Sequence, residues 1–160
     1  MRTIAPKTLD AVLSIAAWQI GVQESPANSN RVKYNDWYYG RSVSGSAYPW
    51  CVTFVEWVFD QAGYNLFRTA SCGSLYNRYK VFSPKQIVTY GFKPGDLVLF
   101  DFSGKKTATQ HIGIVESVCG DGTLNTIEGN TGIGNDSNGG AVMRRKRSPA
   151  HVTAAIRPNY

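Results

Sequence analysis

No stretch of the 160 residues approaches the ~20 consecutive apolar positions of a membrane-spanning helix. The first residues lack the basic-then-apolar layout of a secretory signal. Cysteine is scarce: Cys51, Cys72 and Cys119 cannot all pair, and none belongs to a CxxC. That excludes a disulfide scaffold and argues against a structural zinc. Histidine is scarcer still, with only His111 and His151. Glycine at 16 and proline at 7 are too few and too scattered for a fibrous or disordered chain. Internal repeats and low-complexity linkers are also missing.

Acids are absent from the last twenty residues, which hold Arg144, Arg145, Lys146, Arg147 and Arg157. Five charges of the net +6 therefore sit at that end. Such a patch suits a polyanionic partner: nucleic acid, anionic lipid or an anionic cell wall. The plainer alternative is a solvated strand with basic outward side chains. Alternation in Val142–Arg147 is poor, so this run is expected to leave its sheet partway. What remains is ordinary for a soluble globular protein, 42% apolar and 18% charged. The length suits a single domain, residues 1–160, able to bury roughly 70% of its unfolded surface.

The character of the chain changes near residue 92. Leu9, Val12, Leu13, Ala16, Ala17 and Ile20 form one helical stripe closed by Gly21. Cys51, Phe54, Val55, Val58, Phe59 and Ala62 form a second, closed by Gly63. Between them, residues 22–49 read as a long loop, and loops of that length are commonly functional. A weaker helix is expected over 71–79. After the turn Lys93-Pro94-Gly95-Asp96 the pattern turns extended, with strands expected over 97–102, 111–118, 123–128, 141–145 and 152–156. Helices followed by a run of strands indicate an α+β fold with a largely antiparallel sheet of about five to six strands.

Three positions invite chemistry. Cys51 opens a strong helix directly after the long loop, where the helix dipole favours the thiolate. Cys72 and Cys119 read as small core residues. His111 heads the cleanest strand and supplies the base that a thiol nucleophile needs, whereas His151 reads as a surface histidine. Glu128 and Asn130 lie two apart on one strand and so share a face. Either side chain can accept an imidazole N–H and fix the ring.

Pro49-Trp50-Cys51-Val52-Thr53-Phe54, Lys93-Pro94-Gly95-Asp96-Leu97, His111-Ile112-Gly113-Ile114-Val115 and Ile127-Glu128-Gly129-Asn130-Thr131 together resemble the CHAP family. These are the cysteine- and histidine-dependent amidohydrolases and peptidases. Trp18–Glu24 is similar to the start of such domains, so the resemblance covers nearly the whole chain. It implies a papain-like fold and hydrolysis of amide bonds in bacterial peptidoglycan, as in phage endolysins and bacterial autolysins. Carried over, Cys51 is the nucleophile, His111 the base, Glu128 its orienting carboxylate and Asn130 a polar partner beside it. No cofactor is implied. Some members bind calcium before the nucleophile, but residues 34–41 hold one acid, Asp36, which disfavours that site.

Trp37, Tyr38, Tyr39, Tyr48 and Trp50 are expected to line a groove that packs on sugar and peptide. The substrate expected is peptidoglycan, cut either as an N-acetylmuramoyl-L-alanine amidase or as a peptide endopeptidase. The basic end suits anionic wall polymers, and a monomer is expected, with neither nucleic acid nor membrane as partner. The lack of a signal suits a phage enzyme released on lysis, or a domain of a longer secreted protein. Two other classes compete: a silent wall-binding module, which the complete Cys, His and Glu-Gly-Asn set opposes, and a nucleic-acid-binding protein, for which no motif exists.

Overall fold

The computed structural model describes residues 7–160. Four helices precede a six-stranded sheet: α1 (Leu9–Trp18), α2 (Lys33–Tyr39), α3 (Cys51–Gln61) and α4 (Cys72–Phe82), then β1 (Ile87–Val88), β2 (Leu97–Phe100), β3 (His111–Val118), β4 (Leu124–Thr131), β5 (Ala141–Arg147) and β6 (Val152–Ile156). Every pairing is antiparallel and the spatial order is β1-β6-β2-β3-β4-β5. No helix among the described residues is long and apolar enough to cross a membrane.

Side-chain alternation along the strands divides the core in two. Leu97, Leu99, Ile112, Ile114 and Ile127 pack beneath the helices with Phe54, Val55, Val58 and Phe59 of α3. Val98, Phe100, Val115 and Leu124 join Val152 and Ala155 in a second cluster. α3 is buried along nearly its whole length and packs on β3 and β4. Glycine permits that approach: a Cβ on Gly129 would stand 2.6 Å from Phe54 Cβ. The glycine of Glu128-Gly129-Asn130 thus lets the helix lie against the strand that carries the carboxylate.

Sequence and structure differ at several places. The long loop contains α2, whose polar and aromatic run Lys33–Tyr39 has no clean helical stripe. α4 runs three residues beyond the expected end, and Ser71 caps it by accepting the Ser74 N–H at 3.2 Å. The two-residue β1 has no signal of its own. β5 does not leave the sheet partway, since Arg144 to Arg147 all pair with β4.

Most cations of the basic end are ion-paired. Arg144 pairs with Glu116 at 2.9 Å, Arg145 with Asp136 at 2.9 Å, Arg147 with Glu128 at 2.6 Å and Arg157 with Asp96 at 2.9 Å. Four of the five cations are therefore answered by carboxylates distant in sequence, which a charge count cannot register.

Candidate active site

Cys51 is the first residue of α3, and its helix start is held by buried polar contacts. Thr53 Oγ1 donates to Asn35 Oδ1 at 2.8 Å, and Asn35 Nδ2 donates to the carbonyls of Asn30 at 3.0 Å and Tyr48 at 2.9 Å. Trp50, preceding the thiol, is fully buried; its Nε1–H donates to Glu24 Oε2 at 3.0 Å and its ring stacks on Tyr34. Trp50 is therefore an anchor, and the expectation that it lines a groove is wrong.

The Cys51 thiol lies 7% exposed at the floor of an open cleft of about 450 Å³. Tyr39, Pro49, Ser71, Thr109, Gln110 and Ser137 are among its walls. Of the five aromatics expected at a groove, only Tyr39 lines this cleft. Tyr38 and Tyr48 pack edge-on against Tyr39 at 4.7 and 5.0 Å. Trp37 borders a separate recess beside Arg68, whose guanidinium sits 4.9 Å from its ring centre. For Trp37, Tyr38 and Tyr39 the cause is simple: α2 winds these neighbours around an axis, so they cannot all face one way. Asp36, the lone acid considered for calcium, is exposed on α2.

His111 begins β3, opposite Phe100 on β2, and is fully buried against the rings of Phe100 and Phe102. Its Nε2–H donates to Glu128 Oε1 at 2.8 Å. Nδ1 is buried with no hydrogen bond of normal geometry, which leaves it as the nitrogen available to Cys51. Gly113 makes room for the carboxylate, since a Cβ there would lie 2.8 Å from Glu128 Cγ.

Glu128 is saturated with donors. Thr126 Oγ1 donates to Oε2 at 2.6 Å, while Arg147 Nε reaches Oε2 at 2.8 Å and a terminal Arg147 nitrogen reaches Oε1 at 2.6 Å. Arg147 also holds Asp136 at 2.7 Å. Pairing of Thr126 with Arg145 and of Glu128 with Met143 puts Arg145 and Arg147 on the Glu128 face of the sheet. Nothing in the alternation of Val142–Arg147 singled out Arg147; only the strand register reveals it.

Asn130 does not reach the imidazole. A register shift between Glu128 and Thr131 and a φ of +58° at Asn130 break the two-residue periodicity. Its Oδ1 accepts the Gly140 N–H at 3.1 Å and its Nδ2 donates to Asn138 at 3.4 Å, tying down the loop before β5. The polar-partner assignment for Asn130 beside His111 is accordingly corrected. His151 lies edge-on to Phe102 at 6.2 Å and has no contact with the thiol.

Cys72 is buried in the core as expected, but it is not isolated: its Sγ lies 3.8 Å from Cys51 Sγ. The Cys51 thiol is held well below its ordinary range, foremost by a hydrogen bond from Cys72, against the penalty of burial and with further help from His111 and the Val52 N–H. Cys72 is correspondingly pushed up by Cys51 and by burial, so Cys72 is the donor of the pair. Burial opposes the imidazolium, yet Cys51 and Glu128 outweigh it and raise His111 to about 9. Burial likewise opposes the Glu128 anion, but Arg147 and His111 bring it down to about 2. Both shifts favour a thiolate at Cys51 facing an imidazolium at His111.

Among curated proteins none matches the chain. Solved structures that share the fold include LysIME-EF1 and Ly7917. The chain superposes on the wild-type endolysin LysIME-EF1 with a TM-score of 0.60 at 16% identity, covering 96% of this chain and 65% of that one. For Ly7917 the TM-score is 0.55 at 20% identity, covering 94% of this chain and 62% of that one. The chain thus spans a little under two thirds of either relative. The CHAP-domain family model matches residues 43–130, more than half of the sequence and all four of Cys51, His111, Glu128 and Asn130, and the chain belongs to the CHAP family.

Proposed function

We propose that this protein is a peptidoglycan hydrolase that cuts an amide bond of the bacterial wall through a Cys51 thiolate. The observation that carries this reading is the convergence of a helix-start thiol and a buried His111 whose Nε2–H is held by Glu128 at 2.8 Å. Membership of the CHAP family and a fold shared with an endolysin support the choice of substrate, as does Ly7917, also solved with the hydrolyzing product of MDP.

In the proposed reaction the thiolate attacks the amide carbonyl carbon and the carbonyl electrons move to oxygen. The N–H groups at the start of α3 face the developing oxyanion with the positive end of the helix dipole. The tetrahedral intermediate collapses as His111 gives its proton to the departing amine, leaving a thioester on Cys51. Now neutral, His111 takes a proton from water, which attacks the thioester and releases the acid and the thiolate. Glu128 keeps the ring oriented and stabilises its charged form. Tyr39 flanks the substrate in the cleft. N-acetylmuramoyl-L-alanine amidase and peptide endopeptidase activity are both compatible with this chemistry.

Mass spectrometry of purified walls after digestion tests the proposal. New amino and carboxyl ends should appear with the wild type and not with Cys51→Ala, and their positions name the bond. Glycan cleavage instead of amide cleavage, or equal digestion by Cys51→Ala, would refute it.

A further inference from the structure

The second thiol in the cleft is not used by the reaction above. Cys51 and Cys72 are each the first residue of a helix, α3 and α4, and their sulfurs stand 3.8 Å apart. Both border the same open cleft, so a small oxidant that reaches one reaches the other. A disulfide has a sulfur–sulfur bond of ~2.05 Å, and closing the remaining gap requires a movement of less than ~2 Å. The segment leading to α4 is held at Arg68 by the Tyr38 carbonyl and at Thr69 by Glu56, while Ser71 is exposed and Ala70 and Gly73 are only half-buried. A Cβ at Gly73 would meet nothing closer than 3.7 Å, so the start of α4 is not wedged in place. Cys119, by contrast, sits at the β3–β4 turn, where Asn125 Nδ2 donates to its sulfur at 3.4 Å.

We propose that Cys72 is the resolving thiol of Cys51, so that a hydroperoxide switches hydrolysis off through a reversible Cys51–Cys72 disulfide. In the first step the Cys51 sulfur attacks a peroxide oxygen. A sulfur–oxygen bond forms, the oxygen–oxygen bond breaks, and the departing oxygen leaves with a proton as water when the oxidant is hydrogen peroxide. Cys51 is then a sulfenic acid. Cys72 gives up its proton and its sulfur attacks Cys51, forming the sulfur–sulfur bond while the sulfur–oxygen bond breaks and a second water leaves. Two thiols lose two electrons in total and one peroxide is reduced to two waters. The disulfide removes the nucleophile but shields Cys51 from the irreversible sulfinic and sulfonic stages, and any external thiol returns both residues. The effect on hydrolysis rests on the assignment of Cys51 as nucleophile; the pairing itself does not.

The test uses the full chain, reduced, freed of reductant and exposed to hydrogen peroxide at a small excess. Remaining thiols are then blocked with iodoacetamide and the tryptic peptides mapped. The expected result is a peptide pair linked through Cys51 and Cys72, about 2 Da lighter than the two thiol peptides, with Cys119 alkylated. Wall lysis should fall with the appearance of that peptide and return after dithiothreitol. In Cys72→Ser the same exposure should carry Cys51 to the sulfinic acid, about 32 Da heavier, and lysis, measured against that variant's own untreated rate, should not return. Direct passage of wild-type Cys51 to the sulfinic acid with no linked peptide would overturn the proposal, and so would full recovery of Cys72→Ser. A linked peptide with lysis retained would overturn the nucleophile assignment instead.

Discussion

At the helix end of the site, Cys51 is served mainly by groups without net charge, the Cys72 thiol and the Val52 N–H, and His111 is the one charged neighbour that lowers it. At the sheet end, His111 stands at the head of a chain of full charges that alternates in sign through Glu128, Arg147 and Asp136. The difference follows from what each end must do. A nucleophilic thiolate has to stay available to carbon, so weak donors that lower its basicity suit it beside the single imidazolium it faces. The imidazole has to keep one orientation and carry a positive charge while buried, and only a carboxylate held in place gives it both. That carboxylate is itself buried, and Arg147 offsets the cost of keeping it ionised. The chain of charges reaches solvent at Asp136, which is 43% exposed.

Replacing the base breaks the comparison most severely. His111→Ala removes the charge-bearing member of the sheet end and should lower wall lysis by about 10⁴-fold or more. His151→Ala, on a residue whose ring lies against Phe102 and makes no hydrogen bond to the site, should leave lysis nearly unchanged. Comparable losses from the two variants would contradict the assignment.

Weakening the charge chain one link at a time should have graded effects. Glu128→Gln should reduce turnover by about 10²- to 10⁴-fold. Because the carboxylate helps to raise His111 to about 9, its loss should move the alkaline limb of the pH–rate profile downward. Arg147→Met acts one step further away and should be read first as stability, with a cost of about 3–5 kcal/mol for leaving one side of a buried pair uncompensated. Glu128, depressed from 4.5 to about 2, contributes stability above its unfolded value, and this is lost as pH falls toward 2. That acid-side contribution should shrink in Arg147→Met, visible in denaturant melts between pH 5 and 3, and be partly restored by Arg147→Lys.

Asn130 gives the smallest effect. Asn130→Ala should destabilise the loop by about 1–2 kcal/mol through its left-handed backbone, and Asn130→Gly should recover part of that. Turnover in either variant should stay close to wild type.

The sequence alone was a good guide wherever one periodicity governs a segment. The stripe from Cys51 to Ala62 and the strands 111–118 and 152–156 emerge with their observed starts, because burial of one face outweighs everything else there. Cys51, His111 and Glu128 were legible because each sits at an element's start or within a recognisable motif. Arg147 was not, since its partner is 19 positions away and strand register alone brings them together. The contact between Cys72 and Cys51 across 21 positions was hidden likewise. Trp50 and Asn130 misled for a related reason: residue type suggested substrate or imidazole contacts, whereas burial in one case and a backbone bulge in the other direct them elsewhere.

The pH dependence of Cys51 alkylation by iodoacetamide, read at the Cys51 peptide, tests the thiolate–imidazolium pair most directly. The account predicts rapid alkylation of the wild type well below the usual thiol range, with the reactive form persisting down to mildly acidic pH, and a shift of that profile toward ordinary thiol values in His111→Ala. A wild-type profile that rises only near pH 8–9, as for a free cysteine, and is unchanged in His111→Ala would contradict it.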